Sequence, residues 1–179
     1  MSEAPTLRVL TADDAPRYRE VRLAALRSDP LAFITTDGEF AARPLAEVAA
    51  QLAPRDTSVT FGAFVAGELS GLLTVARETR PTLAHRANVY GVSVAPAARG
   101  RGCGDALLRS GIAHARGWDG LTSLHLAVVE TQHAARRLYE RHGFRVWGTQ
   151  PDAVQAADGT RHAEHHLALL WASGMQASG

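Results

Sequence analysis

Arg99-Gly100-Arg101-Gly102-Cys103-Gly104-Asp105 follows the short apolar run Val92-Ser93-Val94 and precedes Ala106-Leu107-Leu108. The pattern predicts a strand, a glycine-rich turn and the start of a helix. Such a turn aims orphan backbone N–H groups and the positive end of a helix dipole at one point, which is what holding a phosphate requires. Glycines let the main chain approach a ligand with no Cβ in the way, and Arg99 and Arg101 add charge. Two other phosphate sites fail on composition and spacing. A Walker A loop needs a lysine, and all 19 basic residues of this chain are arginine. A pyridoxal Schiff base and a lysine nucleophile are excluded with it. A dinucleotide fingerprint needs Gly-x-Gly-x-x-Gly in the first βαβ unit, and Gly100-x-Gly102-x-Gly104 misses that spacing.

A second motif follows. Leu126-Ala127-Val128-Val129-Glu130 is a short apolar run ending in an acid, and Thr131-Gln132-His133-Ala134-Ala135-Arg136-Arg137-Leu138-Tyr139 reads as a helix. Thr131 is a suitable N-cap, and Gly143 suits the left-handed position after the helix, before Phe144 opens the next strand. Together, Arg99-x-x-Gly102-x-Gly104 after Val92-Ser93-Val94, and Gln132-x-x-Ala135-x-x-Leu138-Tyr139-x-x-x-Gly143-Phe144, resemble the two signature segments of the GNAT superfamily of N-acetyltransferases. The resemblance is specific over residues 86–147 and rests on element order elsewhere.

That resemblance implies acetyl-CoA as co-substrate and no metal. It places the CoA pyrophosphate on the main chain of Arg99, Gly100, Arg101, Gly102, Cys103, Gly104 and Asp105. The edge of Val92-Ser93-Val94 would pair with the pantetheine arm as an added strand. It also implies that Tyr139 protonates the leaving sulfur. Gln132 stands where the family's asparagine contacts the pantetheine. Arg136, in a cluster with Arg137, Arg141 and Arg145, is either part of a solvated helix face or a contact for the 3′-phosphate of CoA.

Acyl transfer to an amine needs a free lone pair, donors for the developing oxyanion and two substrates held in register. The backbone N–H of Val94 or a neighbour is the expected oxyanion donor. The family's strand glutamate is missing from Ala87-Asn88-Val89-Tyr90-Gly91-Val92, so the general base is open. Glu130 is the first choice, with Glu39 or His125 through water, or loss of the proton to solvent, as alternatives. Asn88 and Tyr90 share the parity of Val92 and can position the acceptor. Arg22 to Phe33 resembles a segment of bacterial members whose following loop covers the acceptor. Phe33, Thr35, Thr36 and Glu39 are therefore acceptor candidates, together with His165 or His166 from the last strand. Cys103 is expected to pack rather than react. His162, His165 and His166 lack a partner spaced to complete a metal site.

These residues must be positioned by a specific succession of elements. Strand Leu7–Leu10 is followed by a helix to about Arg27, which Asp29-Pro30 ends. Leu31–Phe40 is a loop or short helix, and Pro44 opens a helix over Leu45–Leu52 as its first residue. Val59–Ala66 and Leu69–Ala76 form a hairpin about Gly67-Glu68. Arg86–Val94 is the central strand and Gly104–Arg116 the helix after the glycine turn. Leu121–Val129 is a buried strand, followed by the Tyr139 helix. Phe144–Thr149 and His162–Trp171 are the last strands, joined by a connection with a turn at Ala157-Asp158-Gly159. The expected fold is α/β (α+β). A mixed, mostly antiparallel sheet of about seven strands is splayed between strands four and five, with helices on both faces.

With 179 residues, 46% hydrophobic and 21% charged, the chain is expected to form one domain over 1–179, with flexible tails at 1–5 and 173–179. A net charge of +1 gives no nucleic-acid surface, and no apolar run reaches membrane-spanning length. A single cysteine and no signal segment point to the cytoplasm. The lysine-free, Ala- and Arg-rich usage hints at a GC-rich bacterial genome. The leading functional expectation is acetyl transfer to a small-molecule amine. Acetylation of a protein N-terminus or lysine is the rival within enzymes, and a non-catalytic acyl-CoA-binding module the rival outside them. Homodimers are common in the family, but no interface is specified here.

Overall fold

A computed structural model describes residues 4–171. The expected flexible tails therefore lie outside the described residues, apart from Ala4 and Pro5. The elements are β1 (Thr6–Val9), α1 (Ala15–Ser28), α2 (Asp37–Ala41), α3 (Leu45–Leu52), β2 (Ser58–Val65), β3 (Glu68–Arg77), β4 (Arg86–Val94), α4 (Cys103–Arg116), β5 (Ser123–Val129), α5 (His133–Arg141), β6 (Arg145–Gln155) and β7 (Arg161–Leu170). The strands make one seven-stranded sheet in the order β1-β2-β3-β4-β5-β7-β6. Every neighbouring pair is antiparallel except β4 and β5. This is the mixed sheet expected from the sequence.

Alternation of apolar side chains along the strands gives the sheet two covered faces. On β3, Leu73 and Val75 enter one core with Leu107, Leu108 and Ala115 of α4 and with Tyr139 of α5. Leu69 and Leu72 enter the other core, with Leu26 of α1, Phe40 of α2, and Val48 and Leu52 of α3. The two helices that follow the signature motifs thus share one face. Helices α1, α2 and α3 share the opposite one.

Several local expectations are corrected. Pro44 is the N-cap of α3 rather than its first residue. The β2–β3 turn is Ala66-Gly67, and both residues have positive φ. Thr131 does not cap α5, because the turn after β5 moves the cap to Gln132. The strand expected to end at Thr149 runs on to Gln155, crossing an irregularity between Gln150 and Val154. There Asp152 takes φ 51°, so a bulge absorbs Pro151 without ending the strand.

The sheet opens where the expectation placed the opening. β4 and β5 are paired only from Arg86 to Asn88, against Ser123 to His125. β4 then continues to Val94 and β5 to Val129 without further pairing to each other. A bulge on the other side of β4 accompanies this fork. Leu72 pairs with Ser93 and Thr74 with Tyr90, so Gly91 and Val92 together oppose Leu73. Gly91 takes φ +60°, which glycine adopts without steric cost and which turns the strand out of register.

Candidate active site

At one end of the fork stands the glycine turn. Gly100 and Gly102 have φ +74° and +78°, and a Cβ at either would meet nothing within 4 Å. Gly102 is the N-cap of α4, and the Ala106 N–H donates to Gly102 O at 3.0 Å to close the first turn of the helix. The N–H groups of Cys103, Gly104 and Asp105 therefore begin the helix without an intrahelical acceptor. Arg99 and Arg101 are exposed beside them. This is an anion cradle on the α4 face of the fork.

Not every residue of the motif faces that cradle. A Cβ on Gly104 would lie 2.8 Å from Cδ2 of Leu138, so this glycine serves the close packing of α4 on α5. Cys103 is buried, and burial pushes its thiol pKa up despite nearby Arg101. The Asp105 carboxylate turns to α5, where His142 Nε2 lies 2.9 Å away and Arg141 donates at 3.2 Å. Ser93 Oγ is buried with no hydrogen-bond partner, and Val92 and Val94 pack against the core.

Tyr139 is 7% exposed and meets the Phe144 ring edge-on at 6.2 Å. Burial pushes its phenol pKa well above the usual range, so it stays protonated. Gln132 donates to Asp29 Oδ1 at 3.0 Å, linking the start of α5 to the end of α1. Its side chain thus has a protein partner where the resemblance implied a pantetheine contact. Arg136 pairs with Glu140 at 2.9 Å and reaches His165 Nε2 at 3.4 Å, so it lies along α5 toward β7.

On the opposite side of the fork is a cavity of about 490 Å³ between α1, the segment after it, β4, β5 and β7. Phe33, Thr35, Asn88 and Tyr90 line it. Asn88 also donates to Glu78 Oε1 at 2.8 Å. Glu39 does not reach the cavity. Its carboxylate accepts from the Thr36 N–H and hydroxyl, each at 2.8 Å, closing a capping box on α2. Glu130 also stays outside, accepting from the Ala163 N–H at 3.0 Å. His165 points to the far face of β7, where its Nδ1 lies 2.9 Å from Thr149 Oγ1. Period-two alternation puts His166 and Glu164 on the cavity side instead.

Three further lining residues matter: His125, expected as a base through water, and two that were not expected, Glu164 and Arg22. His125 lines the cavity with Nε2 2.9 Å from Ser123 Oγ; burial, with Arg86 and His85 nearby, holds its pKa below the usual histidine value. Glu164 is the one carboxylate among the lining residues, and its side chain is 15% exposed. Arg22 also lines it, with Cζ 4.2 Å from the Phe33 ring centroid. Glu164 was legible by strand parity with His166, whereas nothing local singles out Arg22.

The family model for acetyltransferases of the GNAT family matches residues 23–144. The chain belongs to the GNAT acetyltransferase family. Among solved structures, this GNAT member is similar to an acetyltransferase of the family from Streptococcus pneumoniae, at TM-score 0.82 and 24% identity, covering 93% of this chain and 99% of that one. It is also similar to a GCN5-related N-acetyltransferase from Kribbella flavida, at TM-score 0.78 and 28% identity over 94% and 98% of the two chains. Among curated proteins, it is 42% identical to the mycothiol acetyltransferase of Salinispora tropica over 82 residues. That stretch is 46% of this chain and 27% of the relative, so the chain matches about a quarter of the relative's length. None of the described helices is long and apolar enough to cross a membrane. Among the described residues, no group of three or more His, Cys, Asp or Glu side chains is placed to hold a metal ion.

Proposed function

We propose that this GNAT member moves an acetyl group from acetyl-CoA to the primary amine of a small molecule, by direct attack in a ternary complex. The observation that carries the reading is the fork. An unpaired strand edge beyond Asn88 runs between an anion cradle on one face of the sheet and a cavity of about 490 Å³ on the other. Two substrates approaching from opposite faces meet there, and their orientation supplies much of the rate.

On this reading the turn Arg99–Gly104 and the first N–H groups of α4 hold the pyrophosphate. The free edge of β4 over Val92–Val94 takes the pantetheine arm as a strand takes its neighbour. A β4 N–H near Val94 donates to the carbonyl oxygen as negative charge develops on it. The amine lone pair forms the C–N bond as the C–S bond breaks. Tyr139 gives its proton to the departing sulfur and recovers one from solvent.

The amine proton goes to Glu164 in this scheme. Glu164 of β7 pairs with Val129, four residues beyond His125, in the stretch of β5 that β4 no longer pairs. Glu164 therefore lies along the open part of the fork, whereas His125 pairs level with Asn88, where the fork begins. Glu130, the first choice from sequence, is held by β7 backbone.

One observation favours a second reading, a peptide N-terminus as acceptor. The cavity mouth carries Ile34, Tyr90 and Trp147, exposed by 86%, 54% and 67%. A ribosomal-protein-alanine N-acetyltransferase from Brucella melitensis shares the fold, at TM-score 0.79 and 21% identity.

The deciding experiment is calorimetric titration with acetyl-CoA, followed by thiol-release assays on small amines and on peptides. Saturable binding lost in an Arg99→Ala, Gly102→Asp double variant is expected. No binding at millimolar acetyl-CoA would sink the reading.

A further inference from the structure

The cavity holds charge that the protein leaves unanswered. Three side-chain polar atoms among the described residues are buried with no hydrogen-bond partner: Nη1 of Arg22, Nε of Arg86 and Oγ of Ser93. The two arginines both line the cavity, as does Arg43. Leaving a buried guanidinium N–H unanswered is costly, so such a group is retained where something else supplies a partner to the side chain. The arginine ion pairs found among the described residues involve Arg8, Arg17, Arg27, Arg136, Arg141 and Arg161, none of which lines the cavity.

Against these three arginines the cavity sets one carboxylate, Glu164. Glu78, which accepts from the lining Asn88, adds a second carboxylate beside the cavity, and the three arginines still outnumber the two acids. A simple ammonium entering alone would meet more repulsion than attraction. The positive groups are also placed for recognition. Arg22 lies on the Phe33 ring, and its Nη1 is 3.3 Å from the position a Cβ on Gly91 would take. The guanidinium is thus fixed between an aromatic face and the β4 bulge, as a planar fork with donors to spare. Arg22 is at the bulge on β4, and Glu164 is across the fork opposite Val129.

We propose that the acceptor is an amine that also carries an oxyanion, a carboxylate or a phosphate. Arg22 holds the oxyanion, Arg86 adds to the field, and the amine turns to Glu164. The inference rests on the acetyltransferase reading above and names its substrate class. Gly91 then has a second use, since any side chain there would press on the guanidinium that grips the substrate.

The test compares matched amines on the wild-type protein with acetyl-CoA, read as thiol release. One arm uses amino acids against their amides, with phenylalanine and phenylalaninamide as the first pair. A second uses glucosamine 6-phosphate against glucosamine and separates phosphate from carboxylate. The expected result is a preference of about tenfold or more in kcat/KM for the charged member of at least one arm, expressed mainly in KM. Arg22→Met should bring the ratio toward one, and Arg22→Lys should restore part of it, with calorimetric acetyl-CoA binding as the check on folding. Acetyl-CoA binding with equal or better turnover of the neutral members, or with no turnover of any charged one, overturns this inference alone. Failure to bind acetyl-CoA overturns the transferase reading itself.

Discussion

The Arg22 guanidinium lies 4.2 Å from the centroid of the Phe33 ring, joining α1 to the segment that follows it across the mouth of the cavity. A cation over an aromatic face is stabilised by roughly 0.5–2 kcal/mol, more as water is excluded. Phe33→Leu should therefore release Arg22 and raise the acceptor KM several-fold, with little change in acetyl-CoA affinity. Phe33→Tyr keeps the ring and should leave KM near wild type. Steady-state kinetics with the acceptor varied at saturating acetyl-CoA checks this.

Gly91→Ala tests the bulge. The φ of +60° costs a non-glycine residue roughly 1–3 kcal/mol, and the new methyl would press on Arg22 at 3.3 Å. Thermal unfolding should show the loss of stability. Acceptor KM should rise more than in a control such as Gly67→Ala, which has a similar φ of +79° but lies in the β2–β3 turn with open space around it.

Tyr139→Phe should lower kcat by about 100-fold if the phenol is the proton donor, while acetyl-CoA binding persists. Because burial raises the phenol pKa, the acid form should outlast the ordinary tyrosine titration, and kcat should show no falling limb from this group near pH 10. Stability follows the opposite course. The unfolded phenol loses its proton near pH 10 while the folded one keeps it. Stability should therefore fall as pH rises beyond about 10, and Tyr139→Phe should remove that part of the fall. Denaturant titrations between pH 8 and pH 11 would show it.

Glu164→Gln keeps the shape of the side chain and removes its charge. If Glu164 takes the amine proton, kcat/KM should drop by about 100-fold at neutral pH and recover partly at high pH, where free amine becomes plentiful. Glu130→Gln and Glu39→Gln should leave the pH profile of kcat/KM as it is in the wild type. A profile unchanged in Glu164→Gln would rule this residue out as the base.

Cys103 should resist alkylation in the folded protein. It is 2% exposed and burial raises its thiol pKa, so little thiolate exists near pH 8 to attack a reagent. Iodoacetamide labelling followed by mass spectrometry should show modification only in denaturant.

The central strand, Arg86–Val94, and the helix over Leu45–Leu52 emerge with the ends the sequence indicated. Local signals there agree with burial. The site was legible in part, because the chemistry of the loop is written in consecutive residues. What one residue type does inside a motif was less so. Gly102 and Gly104 look alike in sequence, yet one takes positive φ at the cradle and the other makes room for Leu138, a distinction made only by helix packing. Glu39 and Glu130 looked available as bases and are engaged by the backbone. His165 and His166 are adjacent, and only the register of β7 decides which faces the cavity. Arg22 was invisible as a binding group, since its isolation depends on what fails to approach it in three dimensions.

Strand pairing that stops at Asn88 has a consequence for solubility as well. A free strand edge is ordinarily a liability, because it invites pairing with a neighbouring molecule. Here the two edges released by the fork belong to adjacent strands and are turned toward each other inside a single sheet. The chain can therefore keep a length of unsatisfied β-edge in readiness without offering it along the outer border of the sheet, where β1 and β6 stand.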